Sequence, residues 1–451
     1  MNRLHVSSIT ALILAALLPV NALDIDVVEH TLSNGLKILA VERPDSPSVA
    51  FALYYRVGSV DEQPGKTGLA HYVEHMMFKS TKNLQGEAFA RIMATVGGGR
   101  SNASTSFDRT CYHQTVAPDR LELVIRLEAE RMENLKPTPE EAAAELDVVL
   151  EELRMTSLDN PQGRMQFLLN QHAFQKHPYQ TSPIGRLEDV STFTMDDLMA
   201  FYEKYYVPNN AVAVFVGNFD TDNLLELMET HFGRIRSGRP VVREFPQEPE
   251  QNKERRFELD MPVQRSMLWM GYHAPPAKHP DNLALRVLSM ILSRGGSSPF
   301  GQLAHGQDPV AMFAAAWCRH SLEPGLFSIV GRTLPGISPE TLLERIDVII
   351  SDVIENGVSE EQLNTAKTQL LAFDVYRMQS NMGIARFLGE YEMVSSWKEG
   401  MAFGKRLNEL TPECILRVAE TYLVSSRRTI GIAMAEQDHP DNQTSGNDTN
   451  D

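Results

Sequence analysis

The chain has 451 residues, 42% of them hydrophobic and 22% charged, with a formal net charge of −17. That length supports two or three cores of ordinary size, and the balance is that of a globular protein. The acidic excess repels a phosphate backbone and excludes nucleic acid as a partner class. Cys111, Cys318 and Cys414 lie far apart without metal-ligand spacing and read as isolated thiols.

At the start, Arg3 precedes an apolar run from Ile9 to Val20, and Val20-Asn21-Ala22 supplies small residues at cleavage-site spacing. This pattern predicts a secretory signal peptide over residues 1–22. The run falls short of the roughly 18–20 residues a membrane span needs. No later stretch is apolar enough to span, so the mature chain is expected to carry no integral membrane segment. Export with few cysteines points to a bacterial periplasm.

"EHTLSNGLKILAVERP" reads as a hairpin with Asn34-Gly35 at the turn, and "SVAFALYYRVGS" as a buried strand. A helix over His71 and His75 follows, then a second from about Glu87 to Val96. "GGGRSNASTSFDRTCYHQTVAP" reads as a strand pair and "DRLELVIRLEAERMENL" as an amphipathic helix. Pro139 opens another helix. Residues 237–255, rich in Pro, Arg, Glu and Gln, read as a linker, and the polar tail 436–451 as disordered.

The two sides of the linker resemble each other. "TMDDLMAFYEKYYVPNNAVAVFVGN" from Thr194 aligns without a gap to "TPECILRVAETYLVSSRRTIGIAMA" from Thr411, an offset of 217 residues. Each reads as a Thr-capped helix feeding a buried strand. The expected fold is therefore α+β, built from two homologous domains at 23–236 and 256–435.

The chemistry sits in "GLAHYVEHMMFKST", Gly68 to Thr81. His71 and His75 are four apart, so a helix stacks them on one face, where two imidazoles can grip a zinc ion. Glu74 points to the same side and could take a proton from water at the metal. The order His-x-x-Glu-His is an inverted zincin motif. A catalytic zinc wants a third protein ligand. The helix "PEEAAAELDVVLEELRM" offers Glu145 and Glu152, two turns apart along the border of its apolar stripe Ala142, Leu146, Val149 and Leu153. Glu151 lies further toward solvent.

These motifs together resemble the pitrilysin family of zinc peptidases, which includes insulysin and the mitochondrial processing peptidases. The likeness runs from about Asp24 to Ala435, stronger before the linker than after it, and includes "SNASTSFDRTCY", "ELDVVLEELRMTSLDNP", "HPY" at His177–Tyr179 and "FYEKYYVPNNAVAVFVGNF". It implies a zinc endopeptidase acting on unfolded or small peptides in a closed chamber. One Zn²⁺ per chain would be held by His71, His75 and Glu152, the last 77 residues beyond His75. Glu74 would activate the water at the metal, and Glu145 would support a ligating histidine. Asn102, Ala103 and Ser104 would pair with substrate backbone.

Family chambers take four such domains and this chain has two, so the resemblance implies a second chain. Many members carry an arginine and a tyrosine on a metal-free half. In "PGLFSIVGRTLPGIS", Phe327 and a residue near Ser338 stand there instead, which favours a related metal-free subunit over a homodimer. The rival expectation is a non-hydrolytic scaffold or peptide-binding subunit of a two-chain complex.

Overall fold

The computed structural model describes residues 25–95 and 102–435. The expected signal peptide, its cleavage site and the polar tail lie outside them.

In chain order the first half contains β1 (Val28–Thr31), β2 (Lys37–Glu42), β3 (Val49–Tyr55), α1 (Leu69–Met76) and α2 (Ala88–Thr95). There follow β4 (Asn102–Thr105), β5 (Thr110–Val116), α3 (Leu121–Asn134), α4 (Pro139–Leu153) and α5 (Pro161–Ala173). It closes with α6 (Leu187–Val190), α7 (Met195–Tyr205), β6 (Ala211–Gly217) and α8 (Thr221–Phe232). The second half has β7 (Arg255–Glu258), β8 (Met267–Ala274), α9 (Pro280–Ser293), α10 (Pro299–His305), β9 (Ala311–Cys318) and β10 (Gly325–Thr333). Then come α11 (Pro339–Asn356), α12 (Glu360–Arg377), α13 (Asn381–Val394), α14 (Trp397–Met401), α15 (Phe403–Asn408), α16 (Pro412–Tyr422) and β11 (Arg428–Ala433).

These elements form two sheets with one plan. The first has the order β1-β2-β6-β3-β5-β4 and the second β7-β11-β8-β10-β9. β6 lies parallel to β2 and antiparallel to β3, and β11 lies parallel to β7 and antiparallel to β8. The fold is α+β, as the sequence predicts. The repeat is visible in the elements themselves: α7 and α16, and the first residues of β6 and β11, fall at the same 217-residue offset. The helix starts differ in chemistry. Thr194 accepts a hydrogen bond from the Asp197 N–H, whereas the Thr411 hydroxyl donates to Cys414 Sγ and Pro412 opens the helix.

The hairpin turn is longer than its Asn-Gly signal implies. Thr31 pairs with Lys37, so five residues connect β1 to β2, and only Gly35 takes a left-handed backbone, at φ +90°. Asn34 is used elsewhere: its side-chain amide donates to the Phe232 and Ile235 carbonyls and ties the turn to the end of α8.

One face of each sheet packs on helices of its own half. The other face is covered by a helix of the opposite half. α5 lays Met165, Leu169 and Ala173 against Met267, Trp269 and Leu326 of the second sheet. α13 lays Ile384, Ala385 and Leu388 against Leu39, Ala52, Tyr54 and Val214 of the first. Residues 237–254 carry no helix or strand, yet they are pinned. Arg243 holds Asp61 through two hydrogen bonds, and Glu248 accepts the N–H groups of Gln175, Lys176 and His177. β7 opens at Arg255, the last residue of the expected linker.

Phe327 is fully buried in the second core, and Ser338 caps α11 by accepting from the Thr341 N–H. Among the described residues Cys111, Cys318 and Cys414 are free thiols, the first two buried, and no helix is long and apolar enough to cross a membrane.

Candidate metal centre

α1 is positioned from both ends. At its start the Glu62 carboxylate accepts from the Gly68 and Ala70 N–H groups, satisfying donors that a helix terminus leaves open. Gly68 takes φ +95°, and a Cβ there would lie 2.6 Å from the Ile184 carbonyl oxygen, so only glycine fits. Burial holds the Glu62 carboxyl well above the usual carboxylate range.

α4 begins at a capping box, in which Thr138 accepts from the Glu141 N–H and Glu141 accepts from the Thr138 N–H, with Pro139 in the first turn. The helix is keyed to α1 by the Tyr72 hydroxyl, which donates to the Ala142 carbonyl at 2.7 Å, and by Ser80, which donates to Glu141 at 2.7 Å. Ala142, Val149 and Leu153 are buried, so the apolar stripe faces inward as the sequence predicts. Glu145 and Glu152 are half-buried along its border, and Glu151 is exposed and pairs with Arg154.

This keying brings His71, His75 and Glu152 together, with one ligand atom from each within 4.8 Å of the others. Glu152 Oε2 lies 3.3 Å from His75 Nε2 and 3.7 Å from His71 Nε2. Ligands about 2.0–2.2 Å from a tetrahedral zinc stand about 3.3–3.6 Å apart, so the spacing suits such an ion. Two imidazoles and a carboxylate are also the donor types zinc takes in hydrolytic sites. His75 Nδ1 is 2.8 Å from Glu145 Oε1, which leaves Nε2 to face the shared position. His71 has no such support: its Nδ1 is buried without a hydrogen-bond partner.

The electrostatics separate the two histidines. Burial, then the neighbouring His75, pushes His71 down to about 4. Burial also works to lower His75, but its hydrogen bonds to Glu145 and Glu152 outweigh that and hold it up at about 9. The groups that favour a proton on His75 favour any cation at the same place. Glu145 is opposed by burial yet held low by hydrogen bonds from His75 and Lys79, and the hydrogen bond from His75 lowers Glu152.

Glu74 is buried on the same helix and accepts from the Thr105 hydroxyl at 2.6 Å. Burial raises its pKa, against the lowering effect of that hydrogen bond. Thr105 ends β4, whose residues Asn102, Ala103 and Ser104 line the same cleft of about 570 Å³ with His71, Glu74, His75, Glu145 and Glu152. β4 pairs only with β5, so its outer edge is open among the described residues. Sequence reasoning missed Thr105 and Lys79. Lys79 lies four residues beyond His75, just past the end of α1, and that spacing was the available signal.

Family comparison agrees over both halves. Residues 37–185 match the model for insulinase, peptidase family M16, and residues 192–370 match the M16 inactive domain. The chain belongs to peptidase family M16. It is 29% identical to a Helicobacter pylori zinc protease, PqqE, over 404 residues, which is 88% of this chain and 90% of that one. An uncharacterised zinc protease of Mycobacterium tuberculosis H37Rv is 28% identical over 365 residues, 80% of this chain and 83% of its own. A crystal structure of an H. pylori protease superposes with a TM-score of 0.85 at 28% identity, covering 91% of this chain and 99% of that one. The Escherichia coli periplasmic protease PqqL superposes at 0.75 and 18% identity, and this chain accounts for 49% of its length. The M16 inactive-domain match begins at the last elements of the first half, ends within α12 of the second, and does not include the histidine pair.

Proposed function

We propose that this M16 member is a zinc-dependent endopeptidase cleaving unfolded or small peptides. The observation that carries the reading is the convergence of His71 Nε2, His75 Nε2 and Glu152 Oε2 beside a buried Glu74 in one cleft. In this reading His71, His75 and Glu152 hold one zinc ion per chain. When bound, zinc supplies a Lewis acid that polarises a peptide carbonyl and acidifies water. Glu74, held by Thr105 and made more basic by burial, takes a proton from water and returns it to the leaving amine. The open edge of β4 receives substrate as an added strand, so Asn102, Ala103 and Ser104 read extended backbone more than side-chain identity.

The zinc-protease names of the H. pylori and mycobacterial relatives support the chemistry. The doubled length of PqqL supports a working unit of two such chains, in which a related metal-free subunit, or a second copy, completes the chamber. The start of the sequence, together with the periplasmic setting of PqqL, supports export to a bacterial periplasm.

The test is digestion of a peptide mixture by the purified mature chain, read by mass spectrometry beside Glu74→Gln. The expected result is cleavage by wild type and none by a Glu74→Gln variant that keeps its zinc. Cleavage by the variant at a rate near that of wild type removes Glu74 as base. Zinc-loaded wild type that cleaves nothing, alone or with a related metal-free chain, overturns the peptidase reading in favour of a peptide-binding subunit.

A further inference from the structure

We infer that Lys79 is a positioning residue for the metal centre, acting through Glu145 on His75; the inference rests on the metal site proposed above. α1 ends at Met76, and the chain continues in a tight turn in which the Lys79 N–H bonds the Met76 carbonyl. This turn swings the Lys79 side chain back over the His71-His75 face. Its ammonium lies 2.6 Å from Glu145 Oε2, while Glu145 Oε1 lies 2.8 Å from His75 Nδ1. The order is therefore ammonium, carboxylate, imidazole, metal position, with the first two contacts at hydrogen-bond length.

The arrangement does two things. Glu145 has one oxygen on each neighbour, so its carboxylate plane cannot turn away from His75 without losing Lys79. A carboxylate gripped at both oxygens fixes the Nδ1–H tautomer of His75 and leaves Nε2 as the ligand atom. Lys79 also completes the charge. Glu74, Glu145 and Glu152 line the same cleft, and Lys79 is the cation among the residues lining it. Three carboxylates, one ammonium and a divalent ion sum to zero. The His71 side has no counterpart to this chain of contacts, since its Nδ1 is unpartnered. The ordering of the site therefore comes through His75.

Positioning and bare charge predict opposite signs, which makes the inference testable. A cation that merely sat near the site would repel zinc, and its removal would tighten binding. A cation that orients Glu145 does the reverse. The experiment is zinc affinity by competition with a chromophoric chelator, on the full mature chain. Lys79→Met is expected to weaken zinc about 10–100-fold, the range seen when outer partners of a ligating histidine are lost. Lys79→Arg, which keeps the contact with Glu145, is expected to bind within a few-fold of wild type. Lys79→Met in a Glu145→Gln background is expected to add no further loss. The metal-free melting temperature of each variant reports folding independently of zinc.

Unchanged or tighter zinc in a folded Lys79→Met overturns the inference, and so does an additive loss in the double variant. If wild type itself takes up no zinc, the metal reading fails first and the inference falls with it.

Discussion

The two halves of this chain share one sheet plan, and among the described residues only the first brings metal-ligating side chains together. β2, β6, β3, β5 and β4 correspond in order to β7, β11, β8, β10 and β9, with β1 as an extra edge. The difference lies on two helices. α4 and α12 both begin at a capping box, at Thr138 and Ser359. Counted from those caps, Glu145 corresponds to Ala366 and Glu152 to Phe373. Ala366 is buried in the second core, and Phe373 stands 55% exposed. α9, in the place of α1, has no histidine and buries Leu285, Leu288 and Leu292 instead. The sheet, the caps and the helix order are thus the requirements of the fold. The histidine pair, Glu74 and the two α4 glutamates can be removed from that frame without loss of architecture.

The comparison breaks first at Glu74. Glu74→Gln should lower kcat by about 10²–10⁴-fold, the usual contribution of a positioned general base, with zinc content unchanged. An equal fall in zinc would mean that the glutamate holds the metal rather than the proton. Glu152→Ala comes next: metal analysis should fall from one zinc per chain to nearly none, because the described residues of the second half hold no such cluster to take it up. Zinc retained at full stoichiometry would move the third ligand to Glu145 or Glu151.

The exchanged helices give a smaller effect. On α13, a Cβ at Gly389 would lie 2.1 Å from the Tyr54 ring, whereas on β8 a Cβ at Gly271 would meet Leu326 and Leu169 at 3.2 and 3.4 Å. Gly389→Ala should therefore cost about 1–3 kcal/mol, as overpacking does, measured by denaturant unfolding. Gly271→Ala should be close to neutral. Equal effects would mean that the two crossovers are equally tight.

The smallest effect is in pH. Burial, then Arg386, lowers His113 to about 4. Burial, then Arg286, lowers His320 to about 3, and burial lowers His177 to about 4. These groups stay neutral in the folded chain while the unfolded chain takes up protons below about 6.5. Their contribution to stability is present above that value and is lost as pH falls toward 4. The metal-free melting temperature should drop between pH 7 and pH 5, and His320→Gln should flatten the drop. A flat wild-type profile would contradict this.

Much of this was legible in the sequence because it depends on local pattern. The helix spacing of His71, Glu74 and His75, the stripe on α4 and the Thr194–Thr411 repeat all survive without knowledge of distant contacts. The reciprocal covering of the sheets by α5 and α13 was not legible, since an apolar face shows that it is buried but not against which sheet. The Asn34-Gly35 turn misled in detail because Asn34 answers to α8, 198 residues away. Thr105 and Lys79 escaped because a hydroxyl on a strand and a lysine past a helix end are ordinary until Glu74 and Glu145 are seen beside them.

The most direct measurement is zinc-edge anomalous scattering from a crystal of the metal-loaded Glu74→Gln chain. One peak per chain, within bonding distance of His71 Nε2, His75 Nε2 and Glu152 Oε2, is the result expected. A peak held by other residues, or one in the second half, would contradict the account.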